Sequence, residues 1–423
     1  MDGEAFLIGM LVSLFLLAKL LGWLVERIGL PSFVGEILAG AIVINFTIGS
    51  FNLAEYFGID PYTTASQSGL NFSALTIFFY LGLVFLVFTV GLKIRPSALR
   101  SVARSSLEIA LVGVVVPFAI GAAFVLLAIG DANLYAVLFI GTALAASSLG
   151  VVSRLLSDDD LVDRPEGRRL LGAAVFEDIV AFVLLAIILA FASKGSATNV
   201  EFAQQVLLVV GIAIAFVVVF LFLAEPVAER LAPAGAPGAP PDPKTRAGAL
   251  GAALLVVLGA AFIAANFQLA AVLGAFFAGM AMASIAPRFD LERSFDALNA
   301  LFVPFFFVFI GLFVGVPGLL AVWPLIVLIT LLAVVGKLAA GAVHARSLGR
   351  DEALTVGTAL VARGEVALII AIAAANADLL SDDYLSALVV MSIATTIIGP
   401  ILYRRVRASR GGSAPAAVGP PPG

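Results

Sequence analysis

"GTALAASSLGVVSRLL" runs from Gly141 to Leu156, and "GTALVARGEVALII" runs from Gly357 to Ile370. The two stretches open on the same four residues, and each lies in an apolar segment long enough to cross a bilayer. Two more echoes accompany them. "GEILAGAI" (Gly35 to Ile42) matches "GAFFAGMA" (Gly274 to Ala281), and "VGLKIRP" (Val90 to Pro96) matches "IGLFVGVP" (Ile310 to Pro317). In all three pairs the second copy lies seven apolar segments after the first. An odd offset places the copies in opposite orientations across a membrane. The sequence therefore reads as an inverted repeat, an arrangement found in secondary transporters, which bind substrate near the midplane at interrupted helices.

Composition sets the class. The 423 residues are 62% hydrophobic and 12% charged, with a mean hydropathy of +1.13. A soluble domain is about half apolar and about a quarter charged, so the chain is an all-α polytopic membrane protein. With no Cys it has no disulfide framework, thiol chemistry or Cys-ligated metal. A single His, His344, excludes His-rich zinc or haem sites. The first apolar stretch has an acidic flank and no small-residue cleavage signal, and is expected to be a retained helix.

Thirteen spans are expected, at 5–24, 31–47, 73–92, 105–129, 134–153, 170–192, 202–223, 247–265, 267–284, 299–316, 319–343, 354–377 and 383–402. They form a single membrane transporter domain over residues 1–410. Residues 1–192 are the first repeat, 202–223 a connector helix and 247–402 the inverted copy. The Pro/Gly-rich stretch 224–246 reads as a linker, and 411–423 as a disordered cytoplasmic tail. With the N-terminus outside, all but four of the 24 Lys and Arg fall on the other side of the membrane. Of those four, Lys194 lies in an outside loop and Lys19, Lys337 and Arg363 lie within spans. The expected topology is an outside N-terminus and a cytoplasmic C-terminus.

The charges buried in spans converge in depth. At 1.5 Å per residue, Glu177 and Asp178 lie about 12–13 Å in from the cytoplasmic end of span 6, and Lys337 about 13 Å in along span 11. Ser147 and Ser148 lie about 9–11 Å deep in span 5, and Arg363 and Glu365 about 17–20 Å deep in span 12. Charges this deep are costly and mark ion or substrate pathways by default. Adjacent helical residues diverge by about 100°, so one acid can pair with Lys337 while the other faces a cavity. Arg363 and Glu365 can compensate each other or pair with neighbours. The runs around Thr142 and Ala146, and around Thr358 and Ala362, are small and polar enough to unwind. Free carbonyls and the hydroxyls of Ser147 and Ser148 would then offer the oxygen ligands that a hard cation such as Na⁺ prefers. Structural readings stay open beside these. Glu177 can be the lysine's partner alone, the serines can be packing residues, and Glu36, Glu108, Lys19 and His344 read as interfacial or locally paired.

These residues resemble the monovalent cation/proton antiporter superfamily, in the branch holding bacterial and archaeal Na⁺/H⁺ antiporters and Kef-type K⁺ exchangers. The resemblance runs from about residue 5 to 405. It rests on "LPSFVGEILAG" (Leu30 to Gly40), "FTVGLKI" (Phe88 to Ile94), "ALAASSLGVVSRLL" (Ala143 to Leu156), "GRRLLGAAVFEDIVAFVLLA" (Gly167 to Ala186), "LAAVLGAFFAGMAM", "VGKLAAG" and "TALVARGEVALII". It implies a panel domain of helices 1–3 and 8–10 that forms a homodimer, and a core domain of helices 4–6 and 11–13. Helices 5 and 12 would be broken and crossing, and the core would move as an elevator. Asp178 falls on the family's ion- and proton-binding aspartate, Glu177 on the preceding acid or amide, and Lys337 on the core lysine. Ser147 and Ser148 replace a usual Thr-Ser. Glu177 keeps a charge that Asn or Gln would lose, which favours an electrogenic type, but it is one methylene longer than Asp.

The expected activity is Na⁺ (Li⁺)/H⁺ exchange across the cell membrane, serving pH homeostasis, with Asp178 as the Na⁺ ligand. No cofactor, catalytic residue, enzyme chemistry or nucleic-acid partner is expected. The partners are the cation, the proton and the bilayer. Electroneutral K⁺/H⁺ exchange of the Kef-like type stays open, and so, more distantly, does an ion channel. The short stretch after the last span holds no G-x-G-x-x-G fingerprint, which argues against a Kef-type regulatory domain in this chain.

Overall fold

A computed structural model of the chain describes residues 3–28, 31–48, 51–59, 70–93, 96–129, 134–159, 161, 164–192, 204, 207–208, 211, 243–266, 271–312, 314 and 320–409. The connector span expected at 202–223 lies largely outside the described residues. Most of the linker and the whole of the 411–423 tail do as well. Among the described residues, nine helices are long and apolar enough to cross a membrane. Residues 32–45 and 366–375 form shorter apolar helices. Residues 271–282, in the expected ninth span, also form a helix below that length.

The chain divides into two compact units, residues 1–96 with 189–322 and residues 97–188 with 323–423. The first unit contains α1 (Gly3–Arg27), α2 (Ser32–Asn45), a two-residue hairpin of β1 (Thr47–Ile48) and β2 (Phe51–Asn52), α3 (Leu53–Phe57) and α4 (Leu70–Leu92). It continues with α9 (Pro243–Asn266), α10 (Ala271–Met282), α11 (Ala286–Phe289) and α12 (Leu291–Gly311).

Repeated glycines perform repeated packing in this unit. A Cβ on Gly40 of α2 would lie 2.9 Å from the Cα of Gly311 on α12, and one on Gly279 of α10 would lie 2.9 Å from the Cα of Gly91 on α4. Gly35 seats α2 against Gly22 of α1, and Gly274 seats α10 against Ala261 of α9. The "GEILAGAI" and "GAFFAGMA" echoes thus place helix backbones in direct contact twice over, as small residues do between membrane helices. Phenylalanines fill the remaining space. Phe79 stacks on Phe306 and Phe309, and Phe88 packs at a tilt against Phe295, with centroids 4.4–5.5 Å apart. Glu36 is buried beside Lys19 at 3.4 Å.

The second unit holds α5 (Pro96–Phe124, continued by a π-helical turn Val125–Ile129), α6 (Leu134–Ala145), α7 (Leu149–Asp158) and α8 (Pro165–Ala192). After these come α13 (Trp323–Val343), α14 (Ala345–Leu348), α15 (Arg350–Ala359), α16 (Glu365–Asn376) and α17 (Asp382–Ala408). The fifth and twelfth expected spans are each two helices, α6/α7 and α15/α16, with non-helical backbone at 146–148 and a turn followed by irregular backbone at 360–364. α17 opens on Asp382 and Asp383 and closes on Arg405 and Arg407, charges that suit the two ends of the helix dipole. Its C-terminal residues Tyr403 and Arg407 both donate to Asp159 at the end of α7, each at 2.9 Å.

The expected boundaries err where a helix is amphipathic at one end. Span 10 was set at 299–316, whereas α12 begins at Leu291 and ends at Gly311. Its first turns put Leu291 and Phe295 inside and leave Glu292 and Arg293 exposed, so hydropathy alone starts the span about two turns late. Spans 4 and 6 likewise begin earlier, at Pro96 and Pro165.

Candidate ion-binding site at the helix breaks

The deep charges expected on spans 6, 11 and 12, and the serines of span 5, all lie in the second unit. α8 carries Glu177 and Asp178, buried to 0% and 2% exposure. Lys337 on α13 is also buried, and its Nζ lies 2.8 Å from Glu177 Oε2. The same ammonium donates to the carbonyls of Gly113 on α5 at 2.8 Å and Ala145 at the end of α6 at 2.7 Å. The ammonium is thus held by one ion pair and two carbonyls. Gly113 leaves the space this needs. A Cβ at that position would collide with Glu177 Oε1 and stand 3.7 Å from Lys337 Nζ.

The two breaks hold each other reciprocally. In the sequence echo, Ser147 corresponds to Arg363 and Leu144 to Leu360. Ser147 Oγ donates to the Leu360 carbonyl at 2.9 Å, and the Arg363 guanidinium donates to the Leu144 carbonyl. The Ser148 N–H bonds the Ala362 carbonyl at 2.8 Å, and its hydroxyl caps α7 by accepting from Val151 N at 3.3 Å. Arg363 also donates to Val361 O at 2.8 Å and Ala333 O at 3.0 Å. Gly364 is where backbone approaches Ser148, since a Cβ there would stand 2.6 Å from Ser148 Oγ.

This geometry revises one expectation. The carbonyls at the breaks were expected to be free. Those of Leu144, Ala145, Leu360, Val361, Ala362, Arg363 and Gly364 all accept hydrogen bonds within the unit. Burial without water makes an unpaired carbonyl costly, and these seven are held by protein donors. Ala146 and Ala362 lie in the breaks. Thr142 and Thr358 lie within α6 and α15, where their hydroxyls return to Leu138 O and Leu354 O, both at 2.7 Å. Glu365 is the first residue of α16, and its side chain is outside the described residues.

Sequence reading missed three contributors: Gly113, Ser392 and Thr396. The last two lie on α17, where Ser392 Oγ donates to Gly364 O at 3.2 Å and Thr396 Oγ1 to Arg363 O. The signal was present as "MSIATTIIG" (Met391 to Gly399), a group of hydroxyls in an apolar span. A further ion pair, Arg169 with Glu352 at 2.7 Å, joins the first turns of α8 and α15, and Ser106 donates to the Arg169 carbonyl at 3.0 Å.

Two acids, a lysine and an arginine, all buried in apolar helices around two helix breaks, define a membrane protein that handles ions. The chain belongs to the transmembrane sodium/hydrogen exchanger family, which matches residues 12–406. It is therefore a transporter rather than an enzyme. It is 28% identical to the high-affinity Na⁺/H⁺ antiporter NhaS3 of Synechocystis sp., over 94% of this chain and 88% of the relative. It is 31% identical to the Na⁺/H⁺-K⁺ antiporter GerN of Bacillus cereus, over 93% of this chain and 94% of the relative. The fold is similar to that of the sodium proton antiporter MjNhaP1 from Methanocaldococcus jannaschii, with a TM-score of 0.68 at 16% identity, covering 97% of each chain.

Proposed function

We propose that the chain exchanges Na⁺ or Li⁺ for protons across the cell membrane, with Asp178 as the group that holds either a cation or a proton. The observation that carries this is the buried Glu177–Lys337 pair beside Asp178. Lys337 lies against Glu177 and two carbonyls, and Asp178, the next acid on α8, falls on the ion- and proton-binding aspartate of the resembled family. Ser147 and Ser148 at the adjoining break supply hydroxyl oxygens. A buried carboxylate binds one positive partner or another, since an unneutralised charge is costly there. Exchange follows if the second unit crosses the membrane only with Asp178 neutralised, moving as an elevator against the first unit. The full chain then has thirteen spans in two inverted repeats, an outside N-terminus, a cytoplasmic C-terminus and a homodimer formed through the first unit. Glu177 retains its charge, which supports voltage-dependent, electrogenic exchange.

A second reading has its own support. A relative at 31% identity is named for both Na⁺ and K⁺, so K⁺ is a candidate substrate of the same site.

The test is proton flux in proteoliposomes with a trapped pH dye, adding Na⁺, Li⁺ and K⁺ in turn with the membrane potential clamped or free. Cation-driven flux is expected from the unsubstituted chain and none from Asp178→Asn. Robust flux from that variant would sink the assignment of Asp178. Flux far above carrier rates without proton coupling would make the protein a channel.

A further inference from the structure

α17 carries no charge near the breaks, yet it contacts the second break at three successive turns. Ser392 Oγ donates to the Gly364 carbonyl at 3.2 Å. One turn on, Thr396 Oγ1 donates to the Arg363 carbonyl and is 2.9 Å from the Ser392 carbonyl of its own helix. One turn further, Gly399 lets α17 lie directly on the break. A Cβ there would stand 2.8 Å from Ala362 N and 3.0 Å from Ala362 Cβ. Residues at i, i+4 and i+7 share one helix face, so these three form one strip along residues 362–364. Ser392 and Thr396 are 1% and 2% exposed.

The strip acts on the other break through Arg363. With the backbone of Arg363 held at its carbonyl, the guanidinium reaches Leu144 O and Ala333 O together. Leu144 is the penultimate residue of α6, which leads into Ala146, Ser147 and Ser148. A hydroxyl on α17 thus fixes the segment that presents the serines. In the sequence echo, α17 is the counterpart of α8. The first copy of this helix carries two acids, and the second carries hydroxyls that hold backbone.

We propose that Thr396, assisted by Ser392, is a positioning residue that sets the cation affinity of the site without touching the ion. This rests on the reading of Asp178, Ser147 and Ser148 as the ion site. A Thr→Val change keeps the shape and leaves the Arg363 carbonyl buried without its donor. Thr396→Ser keeps the donor and loses a methyl.

The experiment is Na⁺-driven proton flux in proteoliposomes of the full chain, comparing the unsubstituted protein, Thr396→Val, Thr396→Ser and Ser392→Ala. Thr396→Val is expected to raise the apparent KM for Na⁺ about tenfold, the equivalent of one buried hydrogen bond, with kcat within about twofold. Thr396→Ser is expected to return KM to within about threefold of the parent, and Ser392→Ala to raise it less than Thr396→Val does, because the Gly364 carbonyl keeps the Leu368 N–H. A loss of kcat at unchanged KM in both Thr396→Val and Ser392→Ala, or a Thr396→Ser variant as impaired as Thr396→Val, would overturn the proposal and leave a structural hydroxyl. If Thr396→Val does not assemble, Ser392→Ala and Thr396→Ser decide it on the same KM criterion. Absence of cation-driven flux in the unsubstituted chain would overturn the exchange reading itself, and the positioning role with it.

Discussion

The Glu177–Lys337 pair makes a sharp energetic demand. Both side chains are fully buried and their charged atoms are 2.8 Å apart. Removing one partner leaves the other charge without compensation, at a cost of about 3–5 kcal/mol. The two removals are not equivalent. Glu177→Gln keeps an oxygen for the ammonium to donate to, and the Gly113 and Ala145 carbonyls still hold it. Lys337→Met also strips the donor from those two carbonyls, each worth about 1–3 kcal/mol when left unsatisfied. Lys337→Met is therefore expected to be the more destabilising single change. The double variant removes both charges and keeps approximate volume, so its loss is expected to fall short of the summed singles by about 2 kcal/mol or more. An exposed pair couples by only about 0.2–1 kcal/mol. The assay is equilibrium unfolding of the four proteins in mixed micelles, read by helical circular dichroism. Coupling below about 0.5 kcal/mol would mean the two sites act independently. The pair would then not exist as a buried ion pair.

Two further outcomes follow from the same unit. Gly113→Ala places a methyl where Glu177 Oε1 lies. It is expected to lower stability by about 1–3 kcal/mol through overpacking and to abolish cation-driven flux, while Gly113→Ala with Glu177→Asp, one methylene shorter, recovers part of both. Equal defects in the single and double variants would refute that size match. His344, just past the end of α13, has a buried Nε2 with no hydrogen-bond partner. Burial lowers its pKa below the ordinary 6.5, against the opposing pull of the Glu108 carboxylate and a bond with the Ile109 backbone. The unfolded chain takes up that proton more readily, so stability from this group is complete above about pH 6.5 and lost on acidification. Melting temperature measured from pH 8 down to pH 5 is expected to fall less steeply for His344→Gln than for the parent. A parallel fall in both would refute the assignment.

The sequence made much of this readable because lipid imposes strong rules. A carboxylate in an apolar run stands out, and depth along a helix follows from residue count, so the sequence alone puts Glu177, Asp178 and Lys337 at one level. The paired glycine motifs were legible for a similar reason, since close helix contacts leave few residue choices. Backbone accounting was less legible. Nothing in "GTALVARGE" states that each carbonyl near Arg363 already has a donor, because those donors come from residues as distant in the chain as Ser147 and Thr396. Gly113 was invisible among the many Gly of a membrane protein until the Glu177 carboxylate was seen against it. The early starts of α5, α8 and α12 were missed because their first turns are half polar, where a hydropathy count stops and an amphipathic helix does not.

The second unit also distributes its charges unevenly between the repeats. α8, in the first, brings Glu177 and Asp178. In the second, α13 brings Lys337 and the break between α15 and α16 brings Arg363. At equivalent places in the echo, Ser147 and Arg363 donate to equivalent carbonyls, one through a neutral hydroxyl and one through a guanidinium. Among the described side chains, either half packed alone would bury two charges of one sign, and the desolvation penalty runs to several kcal/mol for each. Packed together, α8 against α13 and break against break, they bury a balanced set. The charge asymmetry therefore favours mutual packing of the two halves over burial of either alone.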